Sequence, residues 1–147
     1  MSTTPTPTPT PAVVASYAAH SSEIGWGPTV QDGARAGTIG ARLEALRLAV
    51  SAPGTNGGIS YRGHVEAIGW MPAQTDGAIG TTGRSLRLEA FQISLTGDLA
   101  DTHTIRYRSY LAGSGWQDWV SDGATSGTTG QSQEVNAVEI SVQPLGG

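Results

Sequence analysis

The chain has 147 residues, a net charge of −4 and no cysteine. This length suits a single domain with a buried core, and the lack of cysteine excludes disulfides and thiolate metal sites. The acidic balance and the absence of a basic cluster argue against nucleic acid or an anionic membrane as partner, because both require a surface that neutralises phosphates. Nor is any apolar run near the length of a membrane span, so we expect no membrane insertion.

The N-terminal segment alternates threonine and proline, as MSTTPTPTPTP. Proline lacks an amide proton and has a fixed φ, so neither a helix nor a strand ladder can form there. We predict that residues 1–13 are an extended linker or tail that joins the chain to other domains, with a cloning remnant as the alternative. The single folded domain then spans residues 14–147.

After the linker, one sequence pattern is written three times, over residues 14–60, 61–106 and 107–143, which are called units 1, 2 and 3 below. Each copy has the same order of motifs. In unit 1 they are Tyr17-x-x-His20, Gly25-Trp26, Asp32-Gly33, Gly37-Thr38-x-Gly40 and Arg42-Leu43-Glu44-Ala45. In unit 2 they are Tyr61-x-x-His64, Gly69-Trp70, Asp76-Gly77, Gly80-Thr81-x-Gly83 and Arg87-Leu88-Glu89-Ala90. In unit 3 they are Tyr107-x-x-Tyr110, Gly115-Trp116, Asp122-Gly123, Gly127-Thr128-x-Gly130 and Val135-Asn136-Ala137.

The spacing between motifs is constant in the first part of each unit. Tyrosine and tryptophan are nine residues apart in every copy, and tryptophan and aspartate are six apart. The lengths differ only in the Gly/Thr segment and around residues 97–105, where we expect loops.

The last part of each unit alternates with a period of two, which is typical of a half-buried strand. Leu46, Leu48 and Val50 would face inward, and the equivalent rows are Phe91, Ile93 and Leu95, and Val138, Ile140 and Val142. The Tyr-to-Trp segment also has a strand pattern, with His20 and Trp26 on the face opposite Tyr17. We therefore predict an all-β fold whose three units close around a shared core with pseudo-threefold symmetry, a β-prism being favoured and a β-trefoil the alternative.

The pattern resembles the ChW repeats, the clostridial hydrophobic repeats with a characteristic tryptophan, over roughly residues 14–143. This resemblance implies an extracellular location and surface binding rather than a reaction. Unit 3 departs from the pattern, because Tyr110 replaces the histidine and Asn136 replaces the glutamate. Any site built on those two positions should be weaker in unit 3.

Two interpretations of the repeated tryptophans remain open. Lectins stack an aromatic ring on the apolar face of a pyranose, while Asp, Asn, Glu or His bind its hydroxyls. Alternatively, each tryptophan is the core residue of its unit. Glu44 and Glu89 are expected on the face of the buried aliphatic row, where a carboxylate needs a partner. That partner is a turn amide, the histidine of the facing strand, or a sugar hydroxyl at the end of a pocket.

Catalysis and metal binding are less favoured. His20 or His64 could act as a base, and Asp32 with Glu44 could flank a glycosidic bond, but every candidate is repeated, which suits multivalent binding better. An aspartate before glycine is usually a turn residue rather than a calcium ligand. We predict no enzyme activity, no cofactor and no metal.

The sequence therefore predicts a secreted or cell-surface module that binds a glycan or polysaccharide at two or three repeat-related sites. A structural or adhesive module that binds protein is the alternative. The candidate ligand-binding residues are His20, Trp26, Asp32, Glu44, His64, Trp70, Asp76, Glu89, Tyr110, Trp116, Asp122 and Asn136.

Overall fold

A computed structural model describes residues 13–145, so the predicted linker lies outside the described residues except for Val13. The prediction of an all-β protein is confirmed: the described part contains fourteen strands and one five-residue helix. Unit 1 contains β1 (Val14–Ser21), β2 (Gly25–Trp26), β3 (Val30–Gln31), β4 (Arg35–Gly37) and β5 (Leu43–Ser51). The structure places the start of unit 2 at Gly58 and the start of unit 3 at His103, both earlier than predicted, and the units are used with these starts below. Unit 2 contains β6 (Gly58–Val65), β7 (Gly69–Trp70), β8 (Ala78–Gly80), β9 (Leu88–Thr96) and α1 (Asp98–Thr102). Unit 3 contains β10 (His103–Leu111), β11 (Gly115–Trp116), β12 (Val120–Ser121), β13 (Ser126–Gly127) and β14 (Val135–Pro144).

Each unit supplies the two long antiparallel strands of one sheet, and these pairs are β1 with β5, β6 with β9, and β10 with β14. The short strand that ends in the tryptophan pairs with the first long strand of its own unit. Helix α1 lies in the segment of variable length around residues 97–105, where only a loop was expected. No helix among residues 13–145 is long and apolar enough to cross a membrane.

The three sheets are joined by an exchange of short strands between units. Strand β8 of unit 2 pairs with β5 of unit 1, and β13 of unit 3 pairs with β9 of unit 2. Strand β4 of unit 1 then pairs with β14 of unit 3. The pairing is therefore cyclic, and the last unit is tied to the first.

A glycine ends each exchanged strand, and it is the first glycine of the Gly-Thr-x-Gly motif. Gly37, Gly80 and Gly127 all have positive φ, between 91° and 100°. A Cβ at Gly80 would overlap the carbonyl oxygen of Glu44, and the other two glycines meet the equivalent carbonyls of units 3 and 2. This motif is thus required where one unit approaches the backbone of another.

The core lies on the inner faces of the three sheets. The inward rows predicted for the last strand of each unit are confirmed, since Leu46, Phe91, Ile93, Val138 and Ile140 are fully buried. The repeated tyrosines, Tyr17, Tyr61 and Tyr107, also belong to this core.

Each buried tyrosine joins its own turn to the neighbouring unit. The hydroxyl of Tyr17 donates to the carbonyl oxygen of Ala34 and accepts from the amide of Ile140 at 3.0 Å. In unit 2, the hydroxyl of Tyr61 donates its hydrogen to the carbonyl oxygen of Gly77 and lies 3.2 Å from the carbonyl oxygen of Leu48 in unit 1. Burial raises the pKa of Tyr17 to about 12, and it raises the pKa of Tyr61 as well.

Candidate functional site

A β-bulge gives the two glutamates their position. His20 pairs with Ala45 and Ser21 pairs with Leu43, so Glu44 is the extra residue of the bulge. The same register shift occurs at Glu89 in unit 2 and at Asn136 in unit 3. The prediction that Glu44 and Glu89 share the face of the aliphatic row was wrong. The extra residue breaks the period of two, and both carboxylates meet the histidine on the outer face.

The histidine and the glutamate of units 1 and 2 are in direct contact. Nδ1 of His20 lies 3.2 Å from Oε1 of Glu44, and Nδ1 of His64 lies 3.2 Å from Oε1 of Glu89. The glutamates are only 5% and 4% exposed. Their second carboxylate oxygens face arginine, at 3.3 Å from Nη2 of Arg42 and 2.9 Å from Nε of Arg87. Each carboxylate is thus buried between a histidine and a guanidinium, as a buried charge requires.

Nδ1 of both histidines is buried and makes no hydrogen bond of good geometry within residues 13–145, so its contact with the carboxylate is electrostatic. A carboxylate beside Nδ1 favours the tautomer that carries its hydrogen there. In the neutral ring, the other nitrogen, Nε2, is then a hydrogen-bond acceptor.

The tryptophans lie on the outer faces of the sheets and outside the core. Trp26 pairs with His20 across β1 and β2, and the rings meet edge-on with centroids 5.3 Å apart. His64 and Trp70 repeat this geometry at 5.3 Å, and Tyr110 and Trp116 do so at 5.4 Å. Trp26 is 36% exposed.

An arginine covers each of the three repeated tryptophans, and none of these arginines was predicted from the sequence. The guanidinium carbon lies 4.3 Å from the ring centroid for Arg47 on Trp26, and 4.5 Å away for Arg62 on Trp70 and for Arg108 on Trp116. These are cation–π distances.

The arginine comes from different strands in different units. Arg47 lies on the second long strand, opposite Ala18, whereas Arg62 and Arg108 lie on the first long strand, opposite Gln92 and Glu139. Each cross-strand pair thus contains one arginine. The arginines occupy different positions in the repeat, so comparing the three sequences does not show that they are equivalent. Only the strand register shows it.

Asn136 of unit 3 does not reproduce the carboxylate. Its Oδ1 accepts from the amide of Gly40 at 3.1 Å, and its Nδ2 donates to the carbonyl oxygen of Ala41 at 2.8 Å and to Oε2 of Glu134 at 3.0 Å. The side chain therefore holds the Gly/Thr loop of unit 1.

The aspartates lie away from the tryptophans. Oδ1 of Asp32 accepts from the amide of Ala15 at 3.1 Å, near the opposite end of β1 from His20. Five residues of strand separate Ala15 from His20, or about 16 Å. Asp122 likewise accepts from the amide of Ile105 at 3.0 Å, and Asp76 is an exposed turn residue. Two of the three aspartates therefore bind backbone amides at the start of a long strand.

The candidate residues thus form one cluster in each of units 1 and 2, containing histidine, glutamate, tryptophan and arginine. Unit 3 has Tyr110, Trp116 and Arg108 at the equivalent places. Among residues 13–145, no three His, Asp or Glu side chains are grouped in a way that could hold a metal ion. The arrangement offers an aromatic ring beside a hydrogen-bonding ring on an open surface.

These features define an all-β repeat protein that presents an aromatic cluster on the outer face of each sheet. Residues 64–97 and 110–144 match the family described as Clostridial hydrophobic W, ChW. Two tandem segments of the chain, one in unit 2 and one in unit 3, are therefore similar to the ChW repeat. The search of curated proteins found no match, and neither did the search of solved structures.

Proposed function

We propose that this chain is a non-catalytic carbohydrate-binding module for cell-surface or extracellular glycans, with equivalent sites at His20–Trp26 and His64–Trp70. The observation that carries the proposal is the position of the tryptophans. Each is outside the core and keeps the same contacts with a histidine and an arginine. Two copies of one surface arrangement suit a repeating ligand.

In this proposal, the tryptophan stacks on the apolar face of a sugar ring and the histidine accepts a hydrogen bond from a hydroxyl at Nε2. The glutamate is a positioning residue. It is almost fully buried and already faces two cationic or polar groups, so it acts by orienting the imidazole.

The same proposal includes the number of repeats and their symmetry. We take unit 1 as a third ChW repeat, and the three units as related by pseudo-threefold symmetry in the manner of a β-prism. The cyclic strand exchange and the shared position of the bulge support both points. An extracellular location follows from the proposed ligand.

A protein-binding module is the second candidate function. Ile24 and Ile68, which precede the tryptophans by two residues, are 57% and 44% exposed. Exposed aliphatic side chains beside an aromatic cluster also suit a protein surface. Ile24→Ser and Ile68→Ser together should weaken a protein contact and leave sugar stacking unchanged.

The test is a glycan array with the purified chain, followed by calorimetry on the glycan that binds. Wild type should show two tight sites, and Trp26→Ala or Trp70→Ala should each remove one. The double variant should lose nearly all tight binding, whereas the matched variant Trp116→Ala should keep both sites. Binding to no glycan, or full binding by the double variant, would contradict the proposal.

The role of the glutamates is tested with Glu44→Gln and Glu89→Gln on the same glycan. An amide can still contact the imidazole but no longer fixes its tautomer, so each change should weaken one site about tenfold. The matched variant Glu134→Gln, at a carboxylate of unit 3 that faces Asn136, should leave both sites intact.

A further inference from the structure

Unit 3 carries a second surface feature that the cluster residues do not explain. Arg108 lies between two tryptophans, at 4.5 Å from the centroid of Trp116 and 4.9 Å from that of Trp119. Arg106 lies on Trp119 at 5.6 Å. Together these four side chains form a row of alternating aromatic and guanidinium groups, called the Trp–Arg row below.

The end of this row forms one wall of a cleft between units 3 and 1. The cleft has a volume of about 280 Å³ and is lined by Gly33, Arg106, Trp119, Ser141 and Gln143. That volume is near the lower end of small-ligand sites and suits one sugar ring.

Arg106 is the free cation of this cleft. Arg108 is neutralised by Glu139, whose Oε1 lies 2.7 Å from its Nη2. Arg106, by contrast, is exposed, and its side chain has no ion pair or hydrogen bond with any residue in 13–145. Its partners across the two neighbouring strands are Ser121 and Ser141. The carboxylate of Asp122 is already engaged by Thr104 and by the amide of Ile105.

The fold itself does not require this arginine and tryptophan. An equivalent cleft lies between units 2 and 3, lined among others by Ser60, Ala73, Ser94 and Gly123. There Ser60 takes the place of Arg106 and Ala73 that of Trp119. The same backbone therefore forms in unit 2 with small side chains. Arg106 and Trp119 in unit 3 are thus available for a ligand.

We propose that the cleft formed by Arg106, Trp119, Ser141 and Gln143 binds a carboxylated sugar, a uronic acid residue of an acidic polysaccharide. The guanidinium of Arg106 receives the carboxylate in a bidentate pair, and the indole of Trp119 stacks on the pyranose ring. Ser141 and Gln143 bind the hydroxyls. This inference deepens the proposed carbohydrate binding and gives unit 3 a ligand of different charge from that of units 1 and 2.

The test uses short oligomers of galacturonate, guluronate and glucuronate, each with its methyl ester as a neutral control, in calorimetry with the whole chain. At least one acid oligomer should bind ten times or more tightly than its ester, because only the acid forms the charge-assisted pair. Its affinity should fall with salt.

Arg106→Ser and Trp119→Ala introduce the residues of unit 2. Each should lower the melting temperature by only a few degrees, because it removes exposed cation–π contacts, and each should weaken the affinity for the acid oligomer about tenfold. The reciprocal pair Ser60→Arg and Ala73→Trp should create a second acid site in unit 2. Equal affinity for acid and ester, binding to none of the three acids, or equal binding of a polyglutamate peptide would overturn the inference.

Trp26→Ala with Trp70→Ala separates this inference from the proposed function. If acid binding is lost in Arg106→Ser while no glycan depends on Trp26 or Trp70, the unit 3 site stands and the sites of units 1 and 2 fail. If glycans depend on Trp26 and Trp70 but acid and ester bind alike, only the unit 3 site fails.

Discussion

Gly80 at the end of β8 lies directly on the carbonyl oxygen of Glu44, so a β-carbon has no room there. The amide of the next residue, Thr81, donates to the same oxygen at 3.1 Å. We expect Gly80→Ala to destabilise the protein by about 3 kcal/mol or more, because it adds a backbone clash to the strain of positive φ.

Gly83 is the matched control for this prediction. It has a φ of 73°, but a Cβ there meets nothing within 4 Å. Gly83→Ala should therefore cost only the strain, about 1 kcal/mol. Urea unfolding of the two variants measures the difference, and equal losses would show that the contact between units is looser than described.

The buried tyrosines predict a loss of stability at alkaline pH. Burial raises the pKa of Tyr17 to about 12 and raises the pKa of Tyr61 and Tyr107, while an unfolded tyrosine titrates near 10. The neutral form is therefore favoured by the fold, and its contribution is complete below pH 10. As the pH rises from 10 to 12, the unfolding free energy should fall by up to about 1.4 kcal/mol per pH unit because of Tyr17, and Tyr61 and Tyr107 should add to this fall in the same direction.

Tyr17→Phe checks that assignment. At pH 7 it should cost about 1 to 3 kcal/mol, because the amide of Ile140 and the carbonyl of Ala34 lose their partner. It should also make the alkaline decrease shallower than in wild type. An unchanged slope between pH 10 and 12 would assign the decrease to other groups.

We predict that an arginine on either long strand of unit 1 can form the cation–π contact with Trp26. Arg47→Ala should cost about 0.5 to 1 kcal/mol and change the fluorescence of Trp26, since an exposed cation–π contact has that strength. The double variant Ala18→Arg with Arg47→Gln copies the pair of unit 2 and should restore both values. Arg84→Ala, at an exposed position, serves as the control. If the double variant does not restore the stability and the fluorescence of Trp26, Arg47 acts through another contact.

Asp32 is predicted to stabilise the fold without contacting the ligand. Its Oδ1 accepts from the amides of Ala15 at 3.1 Å and Val142 at 3.4 Å, which joins the first long strand to the last. Asp32→Ala should cost about 1 to 3 kcal/mol and leave the affinity for glycan unchanged. Asp76→Ala should cost less, because its side chain makes no hydrogen bond within residues 13–145. A large loss of glycan affinity in Asp32→Ala would show that Asp32 contributes to ligand binding.

The strands and the core could be predicted because both follow from local periodicity. The alternation of Leu46 and Leu48, and the constant distance from Tyr17 to Trp26, need no knowledge of the neighbouring strand. The position of Glu44 could not be predicted in this way. A bulge is a relation between two strands, and one extra residue moves a side chain to the other face.

The arginines that cover the tryptophans could not be predicted for a related reason. Arg47 and Arg62 occupy different positions in their units, so comparison of the repeats hides their common role. Only the pairing of Ala18 with Arg47 and of Arg62 with Gln92 brings both guanidiniums to the same place. The partner units of the short strands were likewise beyond sequence reasoning, since such pairing is not local.

The cyclic exchange of short strands restricts how such a protein can change in evolution. An open array of repeats can gain or lose one copy, because each copy contacts only its neighbours. Here β4 of the first unit pairs with β14 of the last, so deleting one unit leaves unpaired sheet edges that invite aggregation. Copy number is therefore restricted by closure, and a new surface arises by sequence divergence within a unit, as at Arg106 and Trp119.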